Sequence, residues 1–275
     1  MSSTLDLDRY FQRIGYVGER TPTLETLREL HQRHAESIPF ENLDSLLRRS
    51  VRIDLDSIQR KLVEEQRGGY CFEQNGLFSA VLEAIGFRIV RLAARVVYMG
   101  DPHAFPPRTH MLIRVDVGDE SYLADVGFGG MVQTGPLRLA VDVEQSTPHE
   151  PFRMIRWEND YLMQASIRGG WVPLYRFTLD PQAPSDYEVG NWYVSTYPES
   201  LFANHLMASR PAPGVRYALR NNELAIHHLG GNTERRTLAS ANEVREALRD
   251  LMQIRLPEGA ELEALLERLA SSPSY

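Results

Sequence analysis

The sequence predicts an α+β protein with a helical first third, a sheet or barrel of antiparallel strands in the middle, and a mixed last third. Three observations carry this. Apolar residues recur at helical spacing up to about residue 86. Short runs rich in β-branched and aromatic residues, punctuated by glycine and proline, then continue to about Thr178. Beyond that point the two textures alternate.

The first helix is read from Leu7, Tyr10, Phe11 and Ile14, with Gly15 where it would stop. Thr21 and Pro22 read as the N-cap and first-turn proline of a second, carrying Leu24, Leu27 and Leu30. A third runs from Cys71 to Ile85. Its apolar face is Leu77, Phe78, Val81, Leu82 and Ile85, and Gly86 ends it. The runs FRIVRLAARVVYM, HMLIRVDV, SYLADVGF, PFRMIRW, YLMQASI and WVPLYRFTL are strands. Further on, RYALRNNELAIHHL reads as a hairpin turning at Asn221-Asn222. Ser240 with Glu243 forms a capping box for a helix with Val244, Leu248 and Leu251. A short last helix carries Leu262, Leu265, Leu266 and Leu269, ahead of a loose tail SSPSY.

At 275 residues the chain can bury a substantial core, and 43% hydrophobic with 24% charged residues places it among ordinary globular proteins. A formal charge of −7 with no basic run argues against a nucleic-acid partner. No stretch approaches the roughly 18 apolar residues of a membrane span. The polar, acidic start lacks the apolar core of a secretory signal, and a single cysteine permits no internal disulfide. These features together point to a cytoplasmic protein.

That cysteine lies in Arg67-Gly68-Gly69-Tyr70-Cys71-Phe72-Glu73-Gln74-Asn75. The paired glycines suggest a tight turn with unusual backbone angles, and the helix begins directly after them. A sulfur at a helix start faces unpaired N–H groups and the positive end of the macrodipole, which favour a thiolate and a developing oxyanion. A lone cysteine is otherwise most often a small buried apolar residue.

His110 and Asp125 complete the argument. HMLIRVDV and SYLADVGF flank Val117-Gly118-Asp119-Glu120, which suits a two-residue hairpin turn. With Val117 facing Glu120, His110 lies opposite Gly127 and Asp125 is its diagonal neighbour, with Cβ atoms roughly 7–8 Å apart. Each residue alone has a commoner structural role. Together they make a Cys–His–Asp constellation for nucleophilic catalysis.

Other histidines read as structural. His31 and His34 suggest a solvated helix face, His227 and His228 point to opposite sides of a strand, and His103 sits in a loop. No metal site follows from them. Gly127-Phe128-Gly129-Gly130 lacks the dinucleotide spacing, since Val132 stands where the third glycine belongs, and reads as a loop allowing close approach to a ligand.

The segments Phe40-Glu41-Asn42-Leu43, RGGYCFEQN, Thr109-His110-Met111 and Asp125-Val126-Gly127-Phe128-Gly129 resemble the arylamine N-acetyltransferases, as does Asn191 with Ser195, Thr196, Pro198, Ser200 and Phe202. The resemblance implies an N-terminal helical bundle carrying the nucleophile (1–86), a β-barrel carrying histidine and aspartate (87–196) and a C-terminal α/β lid (197–275), around a cysteine-protease-like core. It implies acetyl-coenzyme A as donor and arylamines, arylhydrazines or N-hydroxyarylamines as acceptors, through a ping-pong acetyl-cysteine mechanism. By the same likeness Cys71, His110 and Asp125 are catalytic. Phe40, Phe128 and Phe202 would wall the acceptor pocket, and Thr109, Gly127 and Gly129 would lie near the donor. Amide synthases and thiol hydrolases use the same triad and stay open as alternatives, as does the oligomeric state.

Overall fold

The computed structural model describes residues 5–271. The tail expected to be loose lies, apart from Ser271, outside the described residues. The helices of the first third are α1 (Leu7–Ile14), α2 (Leu24–Ser37), α3 (Leu43–Leu46), α4 (Leu55–Gln59), which continues into a π-helical turn (Arg60–Glu64), and α5 (Cys71–Ile85). Gly15 and Gly86 adopt left-handed backbone angles beyond α1 and α5, where a side chain would be strained. The cap of α2 is Thr23, two residues later than expected, and its side chain accepts from Thr26 N. Pro22 stays outside the helix, so the threonine after it serves. On α5, Leu77, Phe78, Val81 and Leu82 are fully buried. Each such side chain stabilises the fold by ~1.5–3 kcal/mol.

The middle of the chain forms β2 (Arg88–Val96), β3 (Arg108–Val117), β4 (Glu120–Ala124), β5 (Leu137–Arg138), β6 (Phe152–Trp157), β7 (Asp160–Ile167) and β8 (Gly170–Phe177). They make one antiparallel sheet in the order β5-β4-β3-β2-β8-β7-β6. The chain after β5 bridges to β6 at Val141 with Met154 and Gln145 with Phe152, so the sheet is a nearly closed barrel. Its interior is filled by Leu92, Leu112, Leu123, Phe152, Met163 and Leu174 among others. The β3–β4 hairpin has the expected register, Val117 facing Glu120 and Ile113 facing Ala124. Its ladder stops at Ala124, however. Asp125 stands just beyond the strand rather than within it.

Next come α6 (Pro184–Thr196) and α7 (Leu201–Asn204), then β9 (Met207–Ala212), β10 (Val215–Arg220), β11 (Glu223–His228) and β12 (Thr233–Thr237). The hairpin between β10 and β11 turns at Asn221-Asn222, as read from the sequence. Ser240 caps α8 (Ala241–Glu246), which passes through a second π-helical turn (Ala247–Leu251) ahead of α9 (Ala260–Ala270). A short strand from the first third, β1 (Phe40–Glu41), pairs with β9 at the edge of this second sheet. Leu219 and Leu224 pack against Val244, Leu248, Leu262 and Leu266 of the terminal helices. Arg216 and Ala218, which alternate with Leu219 along β10, line a cavity shared with residues of the barrel. Among the described residues, no helix is long and apolar enough to cross a membrane.

Candidate active site

The turn before α5 is shaped by charge. Arg67 bonds Glu41 at 2.9 Å and Asp44 at 2.8 Å, and Lys61 bonds Asp44 at 2.8 Å and Glu73 at 2.7 Å. All five groups are buried. Burial raises the Glu73 carboxyl, against the opposing pull of Lys61. Its other oxygen accepts from Tyr70 N at 3.1 Å, which fixes the residue just before the cysteine.

The glycine pair serves a different purpose from the one expected. Neither Gly68 nor Gly69 has a positive φ. A Cβ on Gly68 would stand 2.2 Å from the carbonyl oxygen of Pro39, and one on Gly69 would meet the Glu73 carboxylate at 2.7 Å. The constraint is close approach of β1, through Glu41 N to Gly69 O and Gly69 N to Pro39 O, rather than strained angles.

Cys71 is the first residue of α5 and only 4% exposed. Its Sγ lies 3.6 Å from the carbonyl oxygen of Thr109. The next residue, His110, places Nε2 2.7 Å from Asp125 Oδ2. That leaves Nδ1 as the ring nitrogen for Cys71, whose side chain acts on the imidazole. Burial opposes a charge on this imidazole, but the Asp125 carboxylate outweighs it, and with Cys71 contributing the group is pushed up to about 10. Asp125 is fully buried, which works against its anion. Its contacts with His110, Asn75 and Gly127 prevail and hold the carboxyl below its ordinary range. Structure thus brings all three sequence-predicted residues together.

Several residues around them were missing from the sequence reading. Asn75 donates to Asp125 Oδ1 at 3.0 Å and to Met111 O at 2.7 Å, and accepts from Val126 N. Its position four residues after Cys71, on the same helix face, was the available signal. Tyr175 packs its ring 5.0 Å from that of His110. The largest correction concerns His31 and His34. They are fully buried, not solvated, because α1, α5 and the end of β4 cover that face of α2. His34 links Tyr10 to Gln74, whose amide donates to Pro39 O and Gly69 O. His31 accepts from Asp125 N. A helical spacing of polar residues cannot distinguish water from such partners.

The thiol and imidazole open into a cavity of about 1410 Å³. Phe40, Phe128 and Phe202 line it, as do Thr109, Gly127 and Gly129. Phe40 and Phe202 meet edge to face at 5.7 Å, and Phe128 stands 5.1 Å from His110 in the same manner. The glycine loop approaches the nucleophile rather than open space at its first position. A Cβ on Gly127 would lie 2.7 Å from Cys71 Cα, whereas one on Gly130 would meet nothing within 4 Å. His227 and His228 lie on β11, bonded to Thr233 and Glu234, and His103 is in a loop.

A thiol joined to a charge-paired imidazole beneath an aromatic-walled shaft defines a protein equipped for thiol-dependent acyl chemistry. Comparison with known proteins narrows that class. A family model described as N-acetyltransferase matches residues 23–261. The arylamine N-acetyltransferase of Mycolicibacterium smegmatis is 44% identical over 248 residues, covering 89% of this chain and 90% of that one. A Salmonella typhimurium protein named arylamine N-acetyltransferase / N-hydroxyarylamine O-acetyltransferase is 42% identical over 229 residues, covering 83% and 81%. Among solved structures, the Mycobacterium marinum arylamine N-acetyltransferase in complex with CoA superposes with a TM-score of 0.92 at 40% identity, over 96% of this chain and 99% of that one. The chain belongs to the arylamine N-acetyltransferase family.

Proposed function

We propose that this enzyme moves an acetyl group from acetyl-coenzyme A to the nitrogen of arylamines or arylhydrazines, or to N-hydroxyarylamines, with Cys71 as nucleophile, His110 as proton carrier and Asp125 as its partner. One observation carries the reading. In a chain of this family, a cysteine at a helix start, an imidazole and a buried carboxylate stand in line beside an aromatic-walled cavity.

The Cys71 thiolate attacks the carbonyl carbon of the acetyl thioester. The oxyanion that forms faces the unpaired N–H groups at the start of α5. Coenzyme A departs as its thiolate and takes a proton from the imidazolium, leaving acetyl-Cys71. An amine then attacks this second thioester, and His110 takes its proton as the tetrahedral intermediate collapses to amide and thiolate. Proton transfer of this kind contributes about 10²–10⁴ in rate.

The cavity supports the choice of substrates. At about 1410 Å³ it exceeds the roughly 300–1,000 Å³ usual for one small ligand, leaving room for donor and acceptor ends. In this reading Phe40, Phe128 and Phe202, which line the cavity, offer an apolar face to an aromatic ring, and Thr109, Gly127 and Gly129 lie near the donor's thioester end. Arg168 and Arg235 line the same cavity and suit its phosphates. A free, functional thiol also fits a reducing compartment such as the cytoplasm.

Intact-mass measurement after mixing with acetyl-coenzyme A tests the proposal. One added acetyl group at Cys71, discharged by an arylamine and only slowly by water, is expected. Rapid donor consumption without amine would point to a hydrolase, and no adduct at all would overturn the mechanism.

A further inference from the structure

The backbone on which Asp125 sits leaves its sheet at an awkward place. β3 and β4 pair as far as Ile113 and Ala124, so the N–H of Asp125 is beyond the ladder although the residue is fully buried. A buried amide without an acceptor keeps the whole penalty of losing water. The acceptor it finds is a side chain 94 residues earlier, Nε2 of His31 on α2, at 3.1 Å. Asn75 on α5 takes the next amide, that of Val126. Two helices therefore grip consecutive N–H groups at the strand's end.

His31 does this at a cost to itself. To accept at Nε2, the neutral ring must carry its proton on Nδ1. That nitrogen is buried and, among the described residues, meets no partner beyond the backbone of its own residue. An apolar side chain here would remove the unsatisfied nitrogen but would leave the Asp125 amide alone. The charged and titratable groups that bear on the ring are the Asp125 carboxylate and His34, with Phe78 edge-on at 5.7 Å. Burial, partly offset by Asp125, brings His31 down to about 4, so its acceptor is intact at neutral pH.

We propose that His31 is a positioning residue for acetyl transfer: by accepting the Asp125 amide it fixes the backbone from which the carboxylate reaches His110. This rests on the acyl-transfer reading above. The effect passes through geometry, since a misplacement of about 1 Å from a change away from the chemistry can cost about 10²-fold in rate.

The test compares full-length His31→Leu and His31→Gln with the unchanged enzyme by the NMR titration midpoint of His110, by kcat and acceptor KM, and by Tm. Leucine removes the acceptor. Glutamine offers Oε1 at similar reach and cannot be protonated. With leucine, the His110 midpoint should fall toward its ordinary value and kcat should drop about ten- to a hundredfold, with KM held within about twofold. Glutamine should recover most of both. An unmoved His110 midpoint in His31→Leu, or glutamine performing no better than leucine, would overturn the proposal whatever happens to Tm. The titration needs no turnover, so failure of the unchanged protein to acetylate would count against the functional reading alone.

Discussion

His110 and Asp125 meet at 2.7 Å in surroundings that exclude water almost entirely, with the side chains 3% and 0% exposed. A buried carboxylate is tolerated only when paired and hydrogen-bonded. Here three donors converge on its carboxylate, His110 at one oxygen and Asn75 with Gly127 N at the other, while the amide of Asp125 donates to His31.

Asp125→Asn should retain the fold, because one side-chain oxygen can still accept from Asn75 and Gly127. It loses the charge that sustains the imidazolium. Acetyl transfer should fall by about 10²–10⁴-fold, measured by steady-state kinetics beside a circular dichroism spectrum of unchanged shape. Near-normal turnover would make the aspartate structural.

The pair also sets a pH window. His110 is raised from its usual 6.5 to about 10, so its contribution to stability is complete below 6.5 and is lost as pH climbs through about 10. Asp125 is lowered, so its contribution is complete above the ordinary 3.8 and is lost as pH falls through its lower folded value. NMR should find the His110 imidazole titrating far above 6.5, and Asp125→Asn should bring it down.

Lys61→Met removes one of two cations that hold three buried carboxylates, leaving Glu73 without its 2.7 Å partner. Breaking a buried ion network this way costs about 3–5 kcal/mol. Urea denaturation should show that loss, unless the freed carboxyl group takes up a proton as the pH falls.

Gly127→Ala would press a methyl group to 2.7 Å from Cys71 Cα and 2.9 Å from Asn75 Nδ2. Overpacking of this sort costs about 1–3 kcal/mol, and Cys71 acetylation should slow. Gly130→Ala, which meets open space, serves as the control and should match the unchanged enzyme in Tm.

Phe202→Ala takes away an edge-to-face partner of Phe40 and a wall of the cavity. Acceptor KM should rise about tenfold, the scale of one lost aromatic contact. The rate of acetyl-enzyme formation, followed by rapid-quench mass spectrometry, should change far less.

The sequence by itself determined the elements and their local partners. The spacing of Leu77, Phe78, Val81 and Leu82 made α5 a buried helix, and Gly118 set the hairpin register that aligned His110 with Asp125. Both are short-range effects, governed by side-chain periodicity and backbone sterics. Tertiary structure alone decided what His31 and His34 face, why Gly68 must be glycine, and that β1 pairs with a strand near residue 209. Those outcomes depend on groups far along the chain arriving at hydrogen-bonding distance. A polar side chain carries the same pattern in the sequence whether its partner is water or the amide of Asp125.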